Sequence, residues 1–190
     1  EALVYVRDGQ TGTSALTGGV IASDFTKFGP GLLEIGGTSN ILAASNSRLP
    51  IVSVQEGTLR FASTGAVFQN GLRSNEAGLF SLNVNENGVF DLNGLNLAIG
   101  GFAGNGFIRS GVAGALTLTA KNGFAVDTAF AGNISNGSGT IALLKQQQGV
   151  QTLSGYNTYT GGTILHAGRV NNGTGIPSTN GRIDATGVMA

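Results

Sequence analysis

The sequence predicts an all-β fold in which short strands are joined by sharp corners. Three observations support this prediction: hydrophobic residues alternate with a period of two, Asn-Gly pairs separate the alternating runs, and distant segments resemble one another. Glycine accounts for 33 of the 190 residues, more than twice its usual share of ~7%. Hydrophobic residues make up 41% of the chain, too many for a disordered polar segment. We therefore expect a folded chain with a substantial core.

The alternating runs have the length of ordinary strands, about four to six residues. Alternation is clear at positions 80–85, 95–99 and 116–119, where every second residue is Leu, Ile, Val or Phe. This pattern indicates strands with one buried face. The run at 3–6, Leu-Val-Tyr-Val, is hydrophobic throughout and predicts a strand that is buried on both faces.

Asn-Gly pairs mark the predicted corners between these strands. Both residue types tolerate the left-handed backbone conformation that a tight corner needs. The pairs fit either β-hairpins in a meandering domain or the corners of a coiled chain. They are Asn70-Gly71, Asn87-Gly88, Asn93-Gly94, Asn105-Gly106, Asn122-Gly123, Asn136-Gly137, Asn172-Gly173 and Asn180-Gly181.

Internal similarity favours the coiled chain. Positions 52–59 align without a gap with positions 163–170, and positions 27–37 resemble positions 145–155. Recurring units of this kind are typical of solenoids. We therefore predict that residues 1–190 form a single stack with repeat-like units near 27–61 and 145–170. The stack is expected to be a fragment or unit of a longer protein.

One segment resembles a known family. Positions 152–163, Thr-Leu-Ser-Gly-Tyr-Asn-Thr-Tyr-Thr-Gly-Gly-Thr, resemble the autotransporter-associated β-strand repeat, also called the passenger-associated transport repeat. Gln147 stands where the family usually has glycine. The earlier unit keeps the first residues of the family pattern, at Lys27 and Gly29, but lacks the Asn-Thr-Tyr block. The matching residues are Lys145, Gly149, Leu153, Gly155, Asn157, Thr158, Tyr159, Gly161, Gly162, Thr163 and Gly168.

The resemblance implies a right-handed parallel β-helix that is secreted or displayed on a bacterial cell surface, either attached to the outer membrane or released. It implies a structural or adhesive module without catalysis. The expected partners are a protein or glycan on another cell surface, or copies of the chain bound end to end.

Within the 152–163 segment, the residue types suggest a corner. Gly161 and Gly162 permit a sharp backbone path, and the amide of Asn157 can bond to neighbouring backbone. Either Tyr156 or Tyr159 could cover the corner with its ring and keep its hydroxyl in water.

Composition excludes several classes of function. Ten basic and ten acidic residues cancel, so nothing favours binding to nucleic-acid backbones. No apolar run is long enough to span a bilayer. The chain has no cysteine, which excludes thiolate catalysis and cysteine-bound zinc. We predict no catalytic residue, no cofactor and no metal site.

Three titratable residues merit individual consideration. His166 is the only histidine and lies on the outward phase of its strand, so a solvated imidazole is the expected role. Glu86 and Asp91 flank the predicted turn at Asn87-Gly88, and paired carboxylates are what a glycosidase would need. Two separate solvated charges beside a turn are the favoured interpretation.

Two alternative functions stay open. A coil stack has exposed strand edges at its ends, and end-to-end pairing would make the chain a self-assembling extracellular filament or sheath subunit. A β-helical carbohydrate-active enzyme or binding domain is less favoured, because aromatic residues are only 7% of the chain and tryptophan is absent.

Overall fold

The computed structural model describes residues 1–9, 13–37, 41–42, 49–70, 79–123, 127–167, 169–172 and 183–185. Within these ranges the chain is built from β-strands and one short 3-10 helix, Thr64–Ala66. The all-β prediction is therefore confirmed. The strands are β1 (Ala2–Tyr5), β2 (Ser14–Leu16), β3 (Ile21–Ala22), β4 (Phe25–Phe28), β5 (Leu32–Ile35), β6 (Ile41–Leu42), β7 (Ile51–Phe61), β8 (Gln69–Asn70), β9 (Ser81–Asp91), β10 (Leu97–Ile99), β11 (Gly101–Gly104), β12 (Phe107–Ser110), β13 (Ala115–Lys121), β14 (Thr128–Phe130), β15 (Asn133–Gly137), β16 (Thr140–Gln146), β17 (Val150–Leu153), β18 (Thr163–Leu165), β19 (Arg169–Asn172) and β20 (Ile183–Ala185).

The strands pair in parallel throughout the described part of the chain. Three sheets result, with twelve, five and three strands. Parallel neighbours cannot be joined by a tight hairpin, since the chain must cross back before it pairs again. The hairpin interpretation of the Asn-Gly pairs is therefore wrong for these strands. Asn93 and Gly94 instead occupy a corner after β9, both with positive φ (51° and 74°).

Three rows of strands recur in the same order along the chain. The first row is the path β1-β4-β7-β9-β11-β14-β17-β19 of the large sheet, and the second is its branch through β2, β5, β12 and β15. The long strands β7 and β9 belong to both rows. The third row is the five-stranded sheet β10-β13-β16-β18-β20. From β9 to β17 the chain visits first, second and third rows in turn, and we call each such circuit a pass.

The core lies between the rows and is lined by alternate residues of the strands. Inward-facing side chains stack from strand to strand in register, for example Val52 on Leu82 and Leu82 on Phe102, all of them buried. Because the register is parallel, each pass places its apolar side chains on those of the previous pass. Phenylalanines form the largest cluster, with ring centroids 5.1–6.3 Å apart, and its members are Phe25, Phe61, Phe68, Phe80 and Phe90.

The first strand contradicts one prediction. Leu3 is 63% exposed and Tyr5 is 59% exposed, whereas Val6 is buried and Val4 is half-buried. Strand β1 therefore has one inward face and one outward face, like the polar-faced strands beside it. The prediction of burial on both faces was wrong because no second layer covers the outer face of the first row in the described residues.

The two similar segments lie in different sheets. Positions 52–54 belong to β7 in the twelve-stranded sheet, whereas Thr163–Leu165 is a strand of the five-stranded sheet. Sequence similarity alone therefore does not assign the two segments to the same row. The single stack and its unit boundaries stay predictions.

Candidate functional site: the 145–163 corner

The side-chain amide of Asn157 makes hydrogen bonds to the backbone at the corner between two passes. Its Oδ1 accepts a hydrogen bond from the Ile134 backbone N–H (2.9 Å), and its Nδ2 donates to the Gly155 carbonyl (2.9 Å). The next residue, Thr158, donates its backbone N–H to the Ile134 carbonyl (2.8 Å). The side chain thus satisfies backbone groups that a regular strand would satisfy, as predicted. Asn157 is only 4% exposed, and buried backbone groups left without partners would be costly.

Gly155 lies directly against the previous pass. A Cβ at this position would come within 1.8 Å of the Gly132 carbonyl oxygen and 2.5 Å of the Ala131 carbonyl oxygen. Gly132 has the same relation to the pass before it, since its Cβ would lie 2.0 Å from the Gly106 carbonyl oxygen. A column of glycines therefore allows the backbones of successive passes to approach closely. The requirement at Gly155 is steric.

Tyr159 is the tyrosine that faces inward. It is 5% exposed, whereas Tyr156 is 61% exposed. The Tyr159 hydroxyl and the Thr163 hydroxyl share a hydrogen bond of 2.7 Å, and Thr163 is also buried. Burial raises the pKa of the Tyr159 phenol, while the bond to Thr163 opposes that shift. The expectation that the covering tyrosine keeps a solvated hydroxyl was wrong, because Thr163 supplies its partner.

Gly161 and Gly162 complete the turn into β18. The Gly161 N–H donates to the Ile141 carbonyl (2.8 Å), and the Gly162 carbonyl accepts from the Leu143 N–H (2.9 Å). Gly162 has a positive φ of 86°, a conformation that glycine adopts without strain. The pair therefore provides the sharp path that the sequence predicted.

Lys145 is fully buried at the end of β16. Its Nζ donates to the carbonyls of Gln146 (2.5 Å) and Gln147 (2.9 Å). Burial lowers the pKa of Lys145 to about 8, although attraction to Asp127 raises it in part. Gln147 itself has a positive φ of 60°, so the residue in the usual glycine position keeps the left-handed backbone of a glycine corner.

Lys27 repeats this arrangement in the earlier unit. It is fully buried in β4, and its Nζ donates to the carbonyls of Gly29 and Glu56 (2.7 Å to Glu56). Burial lowers the pKa of Lys27 to about 8, and attraction to Glu56 partly opposes this. Gly29 has a positive φ of 80°. In both units a buried lysine is thus followed two residues later by a left-handed corner residue.

Other residues of the family pattern also hold the backbone. The Gly149 N–H donates to the Asn122 carbonyl (3.0 Å), and Leu153 is buried in the first row. Gly168 lies outside the described residues. The described members of the pattern are therefore spread over one pass, from β16 to β18, and contribute packing and hydrogen bonds.

The titratable candidates do not form a catalytic arrangement. His166 is exposed, as predicted, and its backbone N–H donates to the Lys145 carbonyl (2.9 Å). Asp91 is buried, and its Oδ1 accepts from the N–H groups of Asn93 (2.8 Å) and Gly111 (2.7 Å). Glu86 is exposed on the same strand, β9, which continues through Asn87 and Gly88, so the turn predicted there is wrong. The expectation of a solvated charge is therefore wrong for Asp91, because its carboxylate is buried and bonds to the backbone of the corner after β9.

A buried polar network went unpredicted. The Thr128 hydroxyl donates to Gln151 Oε1 (2.7 Å), and the Asn122 Nδ2 donates to Thr128 Oγ1 (2.6 Å). Gln151 Nε2 donates in turn to the Phe102 carbonyl (2.9 Å), so the network ties three passes together. The signal was present in the sequence, because Gln151 has the same inward phase as buried Leu153.

The described residues contain neither a metal-binding cluster nor a membrane-spanning helix. No group of three or more His, Cys, Asp or Glu side chains there is placed to hold a metal ion. Likewise, none of the helices in the described ranges is long and apolar enough to cross a membrane.

Comparison with known proteins gives one significant match. The chain is 30% identical over 169 residues to a protein from Brucella suis biovar 1 (strain 1330) named Adhesin BmaC autotransporter. The match covers 86% of this chain and 5% of that protein's length. No protein-family model matches the chain, and no solved structure matches it significantly. The match supports a relationship to autotransporter adhesins, whereas the repeat type stays a prediction.

Proposed function

We propose that the chain is a segment of a surface-displayed adhesive module of the autotransporter-passenger type, and that it performs no catalysis. The observation that carries this proposal is the 30% identity to an autotransporter adhesin over 86% of the chain. The 145–163 corner is consistent with it, since the described side chains of this corner serve packing and backbone hydrogen bonding.

The proposed architecture is a right-handed parallel β-helix of the autotransporter-associated repeat type. The recurring order of the three rows and the parallel register between passes support a coil that stacks on itself. With a strand spacing of ~4.8 Å, roughly eight coils would form a short rod of about 40 Å. Such a stack provides long regular faces on which binding side chains can be displayed at the bacterial surface.

Bead attachment tests the adhesive function. Beads coated with the folded chain should attach to cultured epithelial cells or to bacterial cells more often than beads coated with the heat-unfolded chain. Equal attachment of both kinds of bead to every cell type would contradict the proposal. Small-angle scattering of the same preparation checks the architecture, since a stack gives a rod-like profile.

A filament subunit is the second candidate, and one observation favours it. On β1 the inward residues Ala2 and Val4 are only half-buried, whereas their partners in β4, Phe25 and Lys27, are fully buried. A further strand paired with β1 would cover them. Concentration-dependent fibres in negative-stain micrographs would support this candidate, and a single monomeric species at high concentration would contradict it.

A further inference from the structure

We propose that the outer face of the first row carries a binding strip for an uncharged polysaccharide. The strip consists of the planar side chains of Tyr5, Phe28, Gln55, Asn85 and Asn105. This inference rests on the proposed adhesive function and names the class of ligand that the module binds.

Strand register and hydrogen bonds place these five residues side by side, on or next to successive strands. Tyr5 pairs with Phe28. Gln55 follows Val54, the partner of Lys27, and so lies beside Phe28. The Asn85 Nδ2 donates to Gln55 Oε1, and the Asn105 backbone N–H donates to the Val84 carbonyl (2.9 Å), which places Asn105 beside Asn85.

The aromatic end of the strip is open to solvent and held in position. Tyr5 is 59% exposed and Phe28 is 37% exposed, and their ring centroids lie 5.3 Å apart. The Tyr5 ring also lies over Gly29, where a Cβ would approach the ring to 2.7 Å. Two adjacent rings fixed on a strand framework need little reordering when a ligand arrives.

The amide end offers hydrogen-bonding groups in the same line. Asn and Gln side chains each present two donors and one acceptor oxygen, so they match the mixed donor and acceptor character of sugar hydroxyls. The neighbouring outward column adds Thr26, Ser53 and Asn83. Strands repeat every ~4.8 Å, a length similar to one sugar unit of an extended polysaccharide. Pyranose rings could therefore stack on Tyr5 and Phe28 while their hydroxyls bond to the amides.

Charge favours a neutral ligand over an anionic one. The strip and the neighbouring column contain no charged side chain. Three carboxylates and one guanidinium border the strip, so an acidic polymer would meet net repulsion. The bordering residues are Glu1, which accepts a hydrogen bond from Thr26 (2.9 Å), together with Glu56, Glu86 and Arg7. Low aromatic content had argued against a sugar platform, but the fold brings two of the few aromatic side chains together.

Binding to immobilised mannan, galactan and amylose tests the proposal, with heparin as the anionic comparison. The double variant Tyr5→Ala/Phe28→Ala removes both rings, and Gln55→Ala removes one amide while keeping them. Tyr156→Ala is the matched control, because Tyr156 is equally exposed (61%) but lies outside the strip. Thermal unfolding of each variant establishes that it is folded.

We expect the folded chain to bind at least one neutral polysaccharide, with little dependence on salt. The double variant should bind it roughly tenfold more weakly or worse. Gln55→Ala should weaken binding to a smaller degree, and Tyr156→Ala should bind like the parent chain. Absence of binding to all three neutral polymers, or unchanged binding by the double variant, would overturn the proposal.

Two further outcomes separate this inference from the proposed function. If sedimentation shows self-association that the double variant abolishes, the strip is an interface between copies and the polysaccharide proposal is wrong. If the double variant binds the polysaccharide as well as the parent and beads coated with it still attach to cells, adhesion stands and the strip is refuted. If even the parent-coated beads fail to attach while the strip still binds a polysaccharide, only the adhesive function is refuted.

Discussion

Replacing Gly155 with alanine tests whether close approach of successive passes holds the corner together. The added Cβ would lie 1.8 Å from the Gly132 carbonyl oxygen and 2.5 Å from the Ala131 carbonyl oxygen. Both obstacles are backbone atoms of the neighbouring pass, so no side chain can rotate away. Because non-bonded heavy atoms prefer separations of about 3.5–4.0 Å, the two passes must move apart at this corner.

The cost follows from what that movement disturbs. Forcing a methyl group into a packed site costs about 1–3 kcal/mol. The separation would also stretch the hydrogen bonds from Ser154 N–H to the Phe130 carbonyl (3.0 Å) and from Thr158 N–H to the Ile134 carbonyl (2.8 Å), each worth about 1 kcal/mol. We therefore expect Gly155→Ala to lower the free energy of unfolding by about 3 kcal/mol. For a chain of this size that corresponds to a fall in Tm of roughly 6–12 °C.

Gly36→Ala is the matched control for this experiment. Its added Cβ would meet its nearest neighbours, in Ala62 and Leu16, at an ordinary 3.8 Å, so its stability should change by less than about 1 kcal/mol and could rise. Urea unfolding followed by circular dichroism measures both variants. If Gly155→Ala is as stable as the parent chain, or if Gly36→Ala loses as much stability, then steric contact between passes does not explain the glycine.

Three further predictions concern the same corners. Gln147→Gly should raise the free energy of unfolding by about 0.5–1 kcal/mol in a urea titration, because it removes a non-glycine residue from positive φ; a loss of stability would contradict this. Asn157→Ala should lower stability by about 1–3 kcal/mol and speed hydrogen exchange at the Ile134 amide, whereas the Leu143 amide, bonded to Gly162, should be unaffected. Burial depresses the folded-state pKa of Lys27 from 10.5 to about 8. Between these two pH values, Lys27 is therefore protonated in the unfolded chain and largely deprotonated in the folded chain. The stability of the parent relative to Lys27→Met should therefore rise with pH across that window by up to about 3 kcal/mol, and a flat difference in thermal unfolding from pH 7 to pH 10.5 would refute the shift.

Period-two alternation predicted the strands well because it reports the inward and outward phases directly. It did not decide how the strands pair, since an Asn-Gly pair suits both a hairpin and a corner. At 3–6 the pattern failed, because Leu3 and Tyr5 are hydrophobic and yet outward. Hydrophobicity alone cannot distinguish a covered face from one that is open for binding.

The buried lysines show the opposite failure. Lys27 has the same phase as Phe25, so alternation places it inward, whereas its charge argues for solvent. The phase prevails because the corner offers carbonyl oxygens, those of Gly29 and Glu56, to the Nζ. Those acceptors are backbone atoms whose positions depend on the fold, and no pattern of side-chain types reveals them. The family pattern identified Lys145 as important, but only the structure gives its role.

The corners and the faces of this chain obey different constraints, and that difference makes the two proposals separately testable. At a corner, Gly155 leaves room for backbone atoms of the neighbouring pass and Asn157 makes hydrogen bonds to them. A change at either residue therefore lowers the free energy of unfolding. On the outer face, parallel register fixes where Tyr5, Phe28 and Gln55 stand, whereas their side chains reach into solvent. A change on the face should therefore alter binding with little effect on unfolding. A fold with rigid corners can thus vary its ligand by substituting outward residues, without rebuilding the core that displays them.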